Sequence, residues 1–195
     1  MDLLFDIKKP KVPDIDGLHC IPNFISEEEH DTLLTAIDER PWLTDLKRRV
    51  QHYGYKYDYK ARNILSDSYL GELPQWLSGL QERLFMDEIF KKKPDQAIIN
   101  EYLPGQGISA HIDCVPCFDD VIASLSLGSD AIMRLSSAQQ KHDILLEKRS
   151  LIVLSSEARY KWQHAIPARK SDIVDGVKLE RQRRVSVTFR KVILA

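Results

Sequence analysis

Two histidines and an aspartate give this sequence its most distinctive chemistry. In Ser109-Ala-His-Ile-Asp-Cys114, His111 and Asp113 stand two residues apart. On an extended backbone both side chains leave the same face and can share one ion. A third donor, His164, lies in Lys161-Trp-Gln-His-Ala-Ile166, an otherwise strand-like stretch. Two imidazoles and one carboxylate on one side of an ion leave several coordination positions open, the facial arrangement that non-haem iron(II) oxygenases use for cosubstrate and oxygen. Taken singly, each of the six histidines has a plainer reading as a surface or hydrogen-bonded structural group. The metal reading therefore needs support from elsewhere in the chain.

That support comes from Arg183-Arg-Val-Ser-Val-Thr-Phe-Arg190. Val185, Val187 and Phe189 fall on one face of a strand, and Arg184, Ser186, Thr188 and Arg190 on the other. Arginine binds carboxylates through a paired fork, so two of them on one inward face suit a dicarboxylate such as 2-oxoglutarate. The competing reading is an exposed edge strand whose basic residues discourage aggregation. Upstream, Asn100-Glu-Tyr-Leu-Pro-Gly105 places Asn100 and Tyr102 on a common face. Their amide and phenol can bond the same cosubstrate, or Tyr102 is a core residue with a satisfied hydroxyl.

A basic, aromatic segment precedes these motifs. From Lys47 to Arg62 the chain alternates Tyr53, Tyr55, Tyr57 and Tyr59 with Arg48, Arg49, Lys56, Lys60 and Arg62 nearby. Aligned tyrosines can stack bases while the cations neutralise phosphates; equally, tyrosines at strand spacing can pack a hairpin against a barrel. Cys114 and Cys117 follow the candidate metal carboxylate directly. A zinc knuckle needs a second pair at matching spacing, and neither Cys20 nor the histidines supply one. The two are expected as reduced thiols near the mouth of the site.

The elements that must position these groups are of two kinds. Ser26 and Glu29 form a capping-box pattern, Leu33, Leu34 and Ile37 a helical stripe, and Pro41 a stop. A second helix is predicted from Pro74 to about Met86, with Trp76, Leu77, Leu80 and Leu84 at helical spacing. The run Lys91-Lys92-Lys93-Pro94 reads as a solvated linker. Beyond Ala97, short runs rich in branched residues are broken by turn residues: 98–102, 121–127, 132–135, 144–146, 151–154, 162–166 and 185–189. Many short strands without intervening helices point to a sandwich or barrel.

At 195 residues and 43% hydrophobic content, the chain is expected to form one domain, with helices and a substrate lid over 1–96 and a β-barrel core over 97–195. Its 28 basic and 29 acidic residues nearly cancel, so any nucleic-acid face must be a local patch. Three cysteines without a leader, and no apolar run near the roughly 20 residues of a membrane span, fit a reducing cytoplasm; no membrane partner is expected, and the chain is expected to be a monomer.

In order along the chain, Asn100-x-Tyr-x-Pro-Gly, His111-x-Asp113, Ser126-Leu-Gly128, His164, and Arg184 with Arg190 resemble the AlkB family of dioxygenases. The resemblance implies a mainly β protein with flanking helices, a double-stranded β-helix or jelly-roll (cupin-like) barrel. It implies iron(II) on His111, Asp113 and His164, with 2-oxoglutarate and O2 as cosubstrates. Arg184, assisted by Tyr102, would pair with the distal carboxylate of 2-oxoglutarate, while Arg190 and Asn100 would assist near its oxo-acid end. The implied reaction couples decarboxylation of 2-oxoglutarate to hydroxylation of a carbon–hydrogen bond; an N-methyl substrate would then lose formaldehyde. Arg48, Arg49, Tyr53, Tyr55, Tyr57 and Arg62 occupy the region that resembles the lid over the substrate nucleotide. The stretches 103–108, 124–128 and 155–162 are similar to the branch that hydroxylates wobble-uridine modifications in tRNA, and to bacterial relatives of it. Alkylation-repair members carry an acidic residue two positions past the metal aspartate, where this chain has Val115. The implied substrate is nucleic acid, RNA before single-stranded DNA. Alkylated-DNA demethylation and oxidation of a protein or small molecule are the alternatives.

Overall fold

The computed structural model describes residues 12–44 and 46–194. In chain order its elements are β1 (Leu18–Ile21), α1 (Glu27–Asp38), β2 (Val50–Tyr53), α2 (Gln75–Met86), β3 (Gln96–Tyr102), β4 (Ile108–His111), β5 (Phe118–Gly128), β6 (Ala131–Ser136), β7 (Lys141–Leu146), β8 (Leu151–Leu154), α3 (Ser156–Tyr160), β9 (Gln163–Ile166), β10 (Ser171–Val174), β11 (Val177–Glu180) and β12 (Arg184–Val192). The expected capping box forms: the Glu29 N–H donates to Ser26 Oγ at 3.1 Å, and the Ser26 N–H to Glu29 Oε2 at 2.8 Å. Leu33 and Ile37 of α1, with Leu77, Leu80 and Leu84 of α2, form two buried stripes that share one core with Ile99, Leu125, Val187 and Phe189. Helical period on one side and strand period on the other produce this layer.

Among the described residues, ten of the twelve strands form the two antiparallel sheets of a jelly roll, and β10 and β11 pair apart from them as a hairpin. The larger has the order β1-β8-β5-β12-β3-β2 and the smaller β4-β9-β6-β7. Between them lies a second core containing Ile122, Leu135, Ile144, Leu146, Ile152 and Ile166. β12 sits between β5 and β3, at the centre of the larger sheet, so its cations are not those of an exposed edge. Val185, Val187 and Phe189 pack toward the helices, while Arg184, Ser186, Thr188 and Arg190 line the space between the sheets. Gly128, ending β5, has φ +77° and stands where a Cβ would lie 2.4 Å from the Arg183 carbonyl. Glycine is required for that close approach beside Arg184.

Three features differ from the sequence reading. Both edge strands of the larger sheet, β1 and β2, come from the N-terminal half, so that half contributes to the barrel as well as covering it. The polar hairpin β10–β11 was not among the expected strands; its two-residue turn is Asp175-Gly176, both at positive φ (49° and 78°), the Asp-Gly turn signal. The tyrosines do not continue a strand either. β2 stops at Tyr53 because Gly54 turns at φ +77°, where a Cβ would lie 1.8 Å from the Asp95 carbonyl. Beyond it the chain folds into a loop held by Asp58, whose Oδ1 accepts the N–H groups of Lys60 and Ala61 at 2.7 and 2.9 Å.

Candidate active site

β4 and β9 pair so that His111 stands opposite His164, with ring centroids 4.3 Å apart. Asp113, two residues past His111, brings Oδ1 to 3.4 Å from His111 Nε2 and 3.8 Å from His164 Nε2. One donor atom from each of the three lies within 4.8 Å of the others, a spread that small rotamer changes close onto one ion. The protonation states suit that task. His111 Nδ1–H donates to the Ser109 carbonyl at 2.7 Å, which turns Nε2 toward Asp113. Burial drives His164 down to about 4, so it is neutral at physiological pH. Burial works against charge on Asp113, but Arg190, whose Nε–H donates to Oδ2 at 2.8 Å, and the two histidines outweigh it and hold the carboxyl well below its usual range. The donor set is two imidazoles and one carboxylate, which fits iron(II).

Behind this triad a cavity of about 60 Å³ is lined by both histidines, Asn100, Tyr102, Arg184 and Arg190. Arg184 is 3% exposed, lies over the Tyr102 ring at 5.5 Å, and donates through one terminal nitrogen to Ser126 Oγ at 2.9 Å. Its Nε has no hydrogen-bond partner, and among the described residues no carboxylate pairs with it. A buried guanidinium without a counter-ion is costly, so this orphaned fork fits a carboxylate-bearing ligand such as 2-oxoglutarate. Arg190 differs from its expected part. Its Nε is committed to Asp113, and another nitrogen lies 3.5 Å from Gln96 Oε1, so it braces the carboxylate of the triad. Asn100 Oδ1 accepts from Arg48 Nε at 2.8 Å, tying the cavity to the loop above it.

In front of the triad an open cleft of about 580 Å³ is lined by Lys47, Arg48, Tyr57, Tyr59 and Arg62 along with His111 and Asp113. His111, Asn100 and Arg190 border both spaces, so the cleft and the cavity meet at the triad. Of the expected lid residues, Arg48, Tyr57 and Arg62 reach this cleft, and Tyr59 joins them. Arg49, Tyr53 and Tyr55 do not. Tyr53 donates to Gln51 Oε1 at 3.0 Å and meets Trp76 edge-on at 5.3 Å, while Tyr55 tilts against Tyr69 at 4.9 Å. The turn at Gly54 breaks the period-two stripe and sends its members to different surfaces.

Arg49 faces the opposite side of the sheet from Arg48. It forms a paired bridge to Glu101 at 2.6 and 2.7 Å and lies over Trp42 at 4.9 Å. Glu101, 1% exposed, also accepts from Arg183 Nε at 2.7 Å. Hydrogen bonds from Arg49 hold its carboxyl below the usual range, against burial and with help from Arg183. A folded-state value below the unfolded one means that this stabilisation is present above the ordinary glutamate range and fades as pH falls through the folded value. We expect Glu101→Ala to lower unfolding stability by about 2 kcal/mol at neutral pH, less than a fully buried pair because Arg49 is half exposed. Urea unfolding measures this, and the difference from the native protein should shrink at acid pH.

The cysteine pair requires a correction. Cys114 and Cys117, expected as reduced thiols, are joined in a disulfide. The short turn Val115–Cys117 brings their Cα atoms to 5.3 Å, within bridging range. Both sulphurs face the Arg62 carbonyl, at 3.3 and 3.5 Å, and so touch the base of the tyrosine loop. A further residue escaped the sequence reading: Arg159 of α3, whose guanidinium reaches the Asp113 and Cys114 carbonyls at 3.0 and 3.3 Å. Its position five residues before His164 carried no spacing signal.

Comparison with known proteins places this geometry. The signature of the 2OG-Fe(II) oxygenase superfamily matches residues 17–190. A protein of Arabidopsis thaliana named as an alkylated DNA repair protein ALKBH8 homolog is 40% identical over 92% of this chain and 59% of its own length. The tRNA (carboxymethyluridine(34)-5-O)-methyltransferase ALKBH8 of Macaca fascicularis is 38% identical over 90% of this chain and 30% of its own length. The chain thus spans about three fifths of the first relative's length and three tenths of the second's. The structure of OsALKBH1 superposes with a TM-score of 0.69 at 13% identity, covering 90% of this chain and 98% of that one, a likeness of fold.

Proposed function

As the chain belongs to the 2OG-Fe(II) oxygenase superfamily and is an AlkB-like dioxygenase, we propose that it hydroxylates a modified base of tRNA, with iron(II) held by His111, Asp113 and His164. Bound iron(II) supplies oxygen activation coupled to decarboxylation of 2-oxoglutarate to succinate and carbon dioxide. The chain's own residues do the rest. His111 and His164 offer imidazole nitrogens, and Arg190 keeps Asp113 charged and oriented. Arg184, with Ser126 and Tyr102 beside it, receives the distal carboxylate of the cosubstrate. Asn100 borders the oxo-acid end, and its link to Arg48 places a cation at the junction with the cleft. Residues 1–195 act as one domain in this reading, and as a monomer in the cytoplasm. No helix among the described residues is long and apolar enough to cross a membrane.

The observation that carries the tRNA reading is the cleft. Tyr57 and Tyr59 offer rings to a base, and Lys47, Arg48 and Arg62 offer charge to phosphates, at the opening onto the triad. Val115, in place of an acidic side chain, speaks against repair of alkylated DNA. The name of the Arabidopsis relative keeps that reading as the second one. Mass analysis of nucleosides from tRNA incubated with the protein, iron(II) and 2-oxoglutarate tests the proposal. A nucleoside heavier by one oxygen supports it; unchanged tRNA together with demethylated single-stranded DNA transfers the assignment to repair. Losing one stacking platform costs about 1–3 kcal/mol. Tyr57→Ala should therefore raise the KM for tRNA roughly 5- to 150-fold, and an unchanged KM would remove this ring from the binding face.

A further inference from the structure

Arg159 is 2% exposed and among the largest fully buried side chains in the molecule. A guanidinium in that position is expected to answer a carboxylate. Here its hydrogen bonds go to two consecutive backbone carbonyls, those of Asp113 at 3.0 Å and Cys114 at 3.3 Å, and its Nε has no partner. Among the described residues no carboxylate forms an ion pair with it. Burial works against its charge, and the largest opposing influence is the Asp113 carboxylate itself. The cation is thus held at a cost to stability, with its fork closed on the backbone that carries the triad's only anionic donor.

The placement in the chain adds a second link. Arg159 is on α3, whose end leads through Trp162 directly into β9 and His164. α3 is itself tied down, since the Ala158 N–H donates to the Asp16 carbonyl at 2.9 Å. Asp113 lies beyond the end of β4, outside the ladder that fixes His111 opposite His164. Sheet pairing therefore positions the two histidines and leaves the aspartate's backbone to be fixed by something else. Arg190 grips the carboxylate from one side, and Arg159 grips the main chain on which that carboxylate stands.

We propose that Arg159 is a positioning residue for the metal centre, which sets the main chain of Asp113 in register with His164 so that the three donors converge. The proposal rests on the assignment of His111, Asp113 and His164 as the ligands. It predicts a loss that appears in metal affinity itself. Arg159→Met keeps the bulk and removes the fork, and Arg159→Lys keeps a charge on a single ammonium without the planar two-nitrogen fork. Groups that orient ligands in this way are worth about 10- to 100-fold in metal affinity.

The test is titration with Mn(II) alone, followed by calorimetry, on the full chain. Native protein that binds Mn(II), with binding lost in His111→Ala, establishes the ligand set on which the proposal rests; native protein that binds none overturns that assignment and the proposal with it. Given that binding, Arg159→Met is expected to weaken Mn(II) roughly 10- to 100-fold and Arg159→Lys by less. Leu84→Ala, a buried change on the far helix layer, serves as the stability control. It should lower Tm without altering Mn(II) affinity. If Arg159→Met fails to fold, Arg159→Lys alone decides, at a lower Tm matched to Leu84→Ala. Arg159 variants that bind Mn(II) as tightly as the native protein would reduce Arg159 to a structural group and overturn the proposal.

Discussion

Replacing Asp113 by asparagine should reduce succinate formation by more than about a hundredfold while leaving the protein folded. The amide oxygen can still accept from Arg190 Nε, so the 2.8 Å contact that organises this corner has a replacement. What is lost is the negative charge. Among the described residues the triad contains one carboxylate and two imidazoles, and an imidazole carries no negative charge, so Asp113→Asn leaves a donor set with no anion to hold a divalent ion. The loss exceeds that for residues that merely orient ligands, which is about 10- to 100-fold in affinity. Circular dichroism establishes that the variant is folded, and succinate assay gives the rate. Retention of more than about a tenth of the native rate would mean that Asp113 is not a ligand.

Arg184→Met should separate function from stability with opposite signs. Truncating one partner of a buried, charge-assisted contact costs about 2–5 kcal/mol of binding. That corresponds to a rise of roughly 30- to 4,000-fold in the KM for 2-oxoglutarate. Without the cosubstrate, though, Arg184 is a buried cation with an unpartnered Nε and no carboxylate beside it among the described residues. Exchange for an apolar side chain of similar length removes that desolvation cost, so Tm of the cosubstrate-free protein should hold or rise. The Tm increase that 2-oxoglutarate gives the native protein should vanish in the variant. A lower Tm with an unchanged KM would show instead that Arg184 is structural.

The parts of the site carried by strict alternation were legible in the sequence. Arg184, Ser186, Thr188 and Arg190 face one way on β12 because a strand of nine residues between two neighbours cannot break period two without losing its ladder. Asn100 and Tyr102 follow for the same reason on β3. The lid was legible only in part: Arg48, Tyr57 and Arg62 reach the cleft, but the strand that would carry the tyrosine alternation ends at Gly54, where the Asp95 carbonyl leaves no room for a side chain. That constraint comes from a residue forty-one positions away. Arg49 and Arg48 look equivalent in sequence, yet Glu101 draws one outward and Asn100 the other inward. Arg159 lies within the stretch 155–162 that carries the family resemblance, but nothing in that stretch marked its role, since its partners are backbone carbonyls and any residue type supplies those. Long-range contacts to main chain are what a one-dimensional pattern cannot encode.

The most direct measurement is succinate formation from 2-oxoglutarate with iron(II) and oxygen, in the presence of bulk tRNA, of methylated single-stranded DNA, or of no substrate, with His111→Ala as control. Turnover stimulated by tRNA and absent from His111→Ala is the predicted result. Turnover that neither nucleic acid stimulates, or that survives in His111→Ala, would contradict the account.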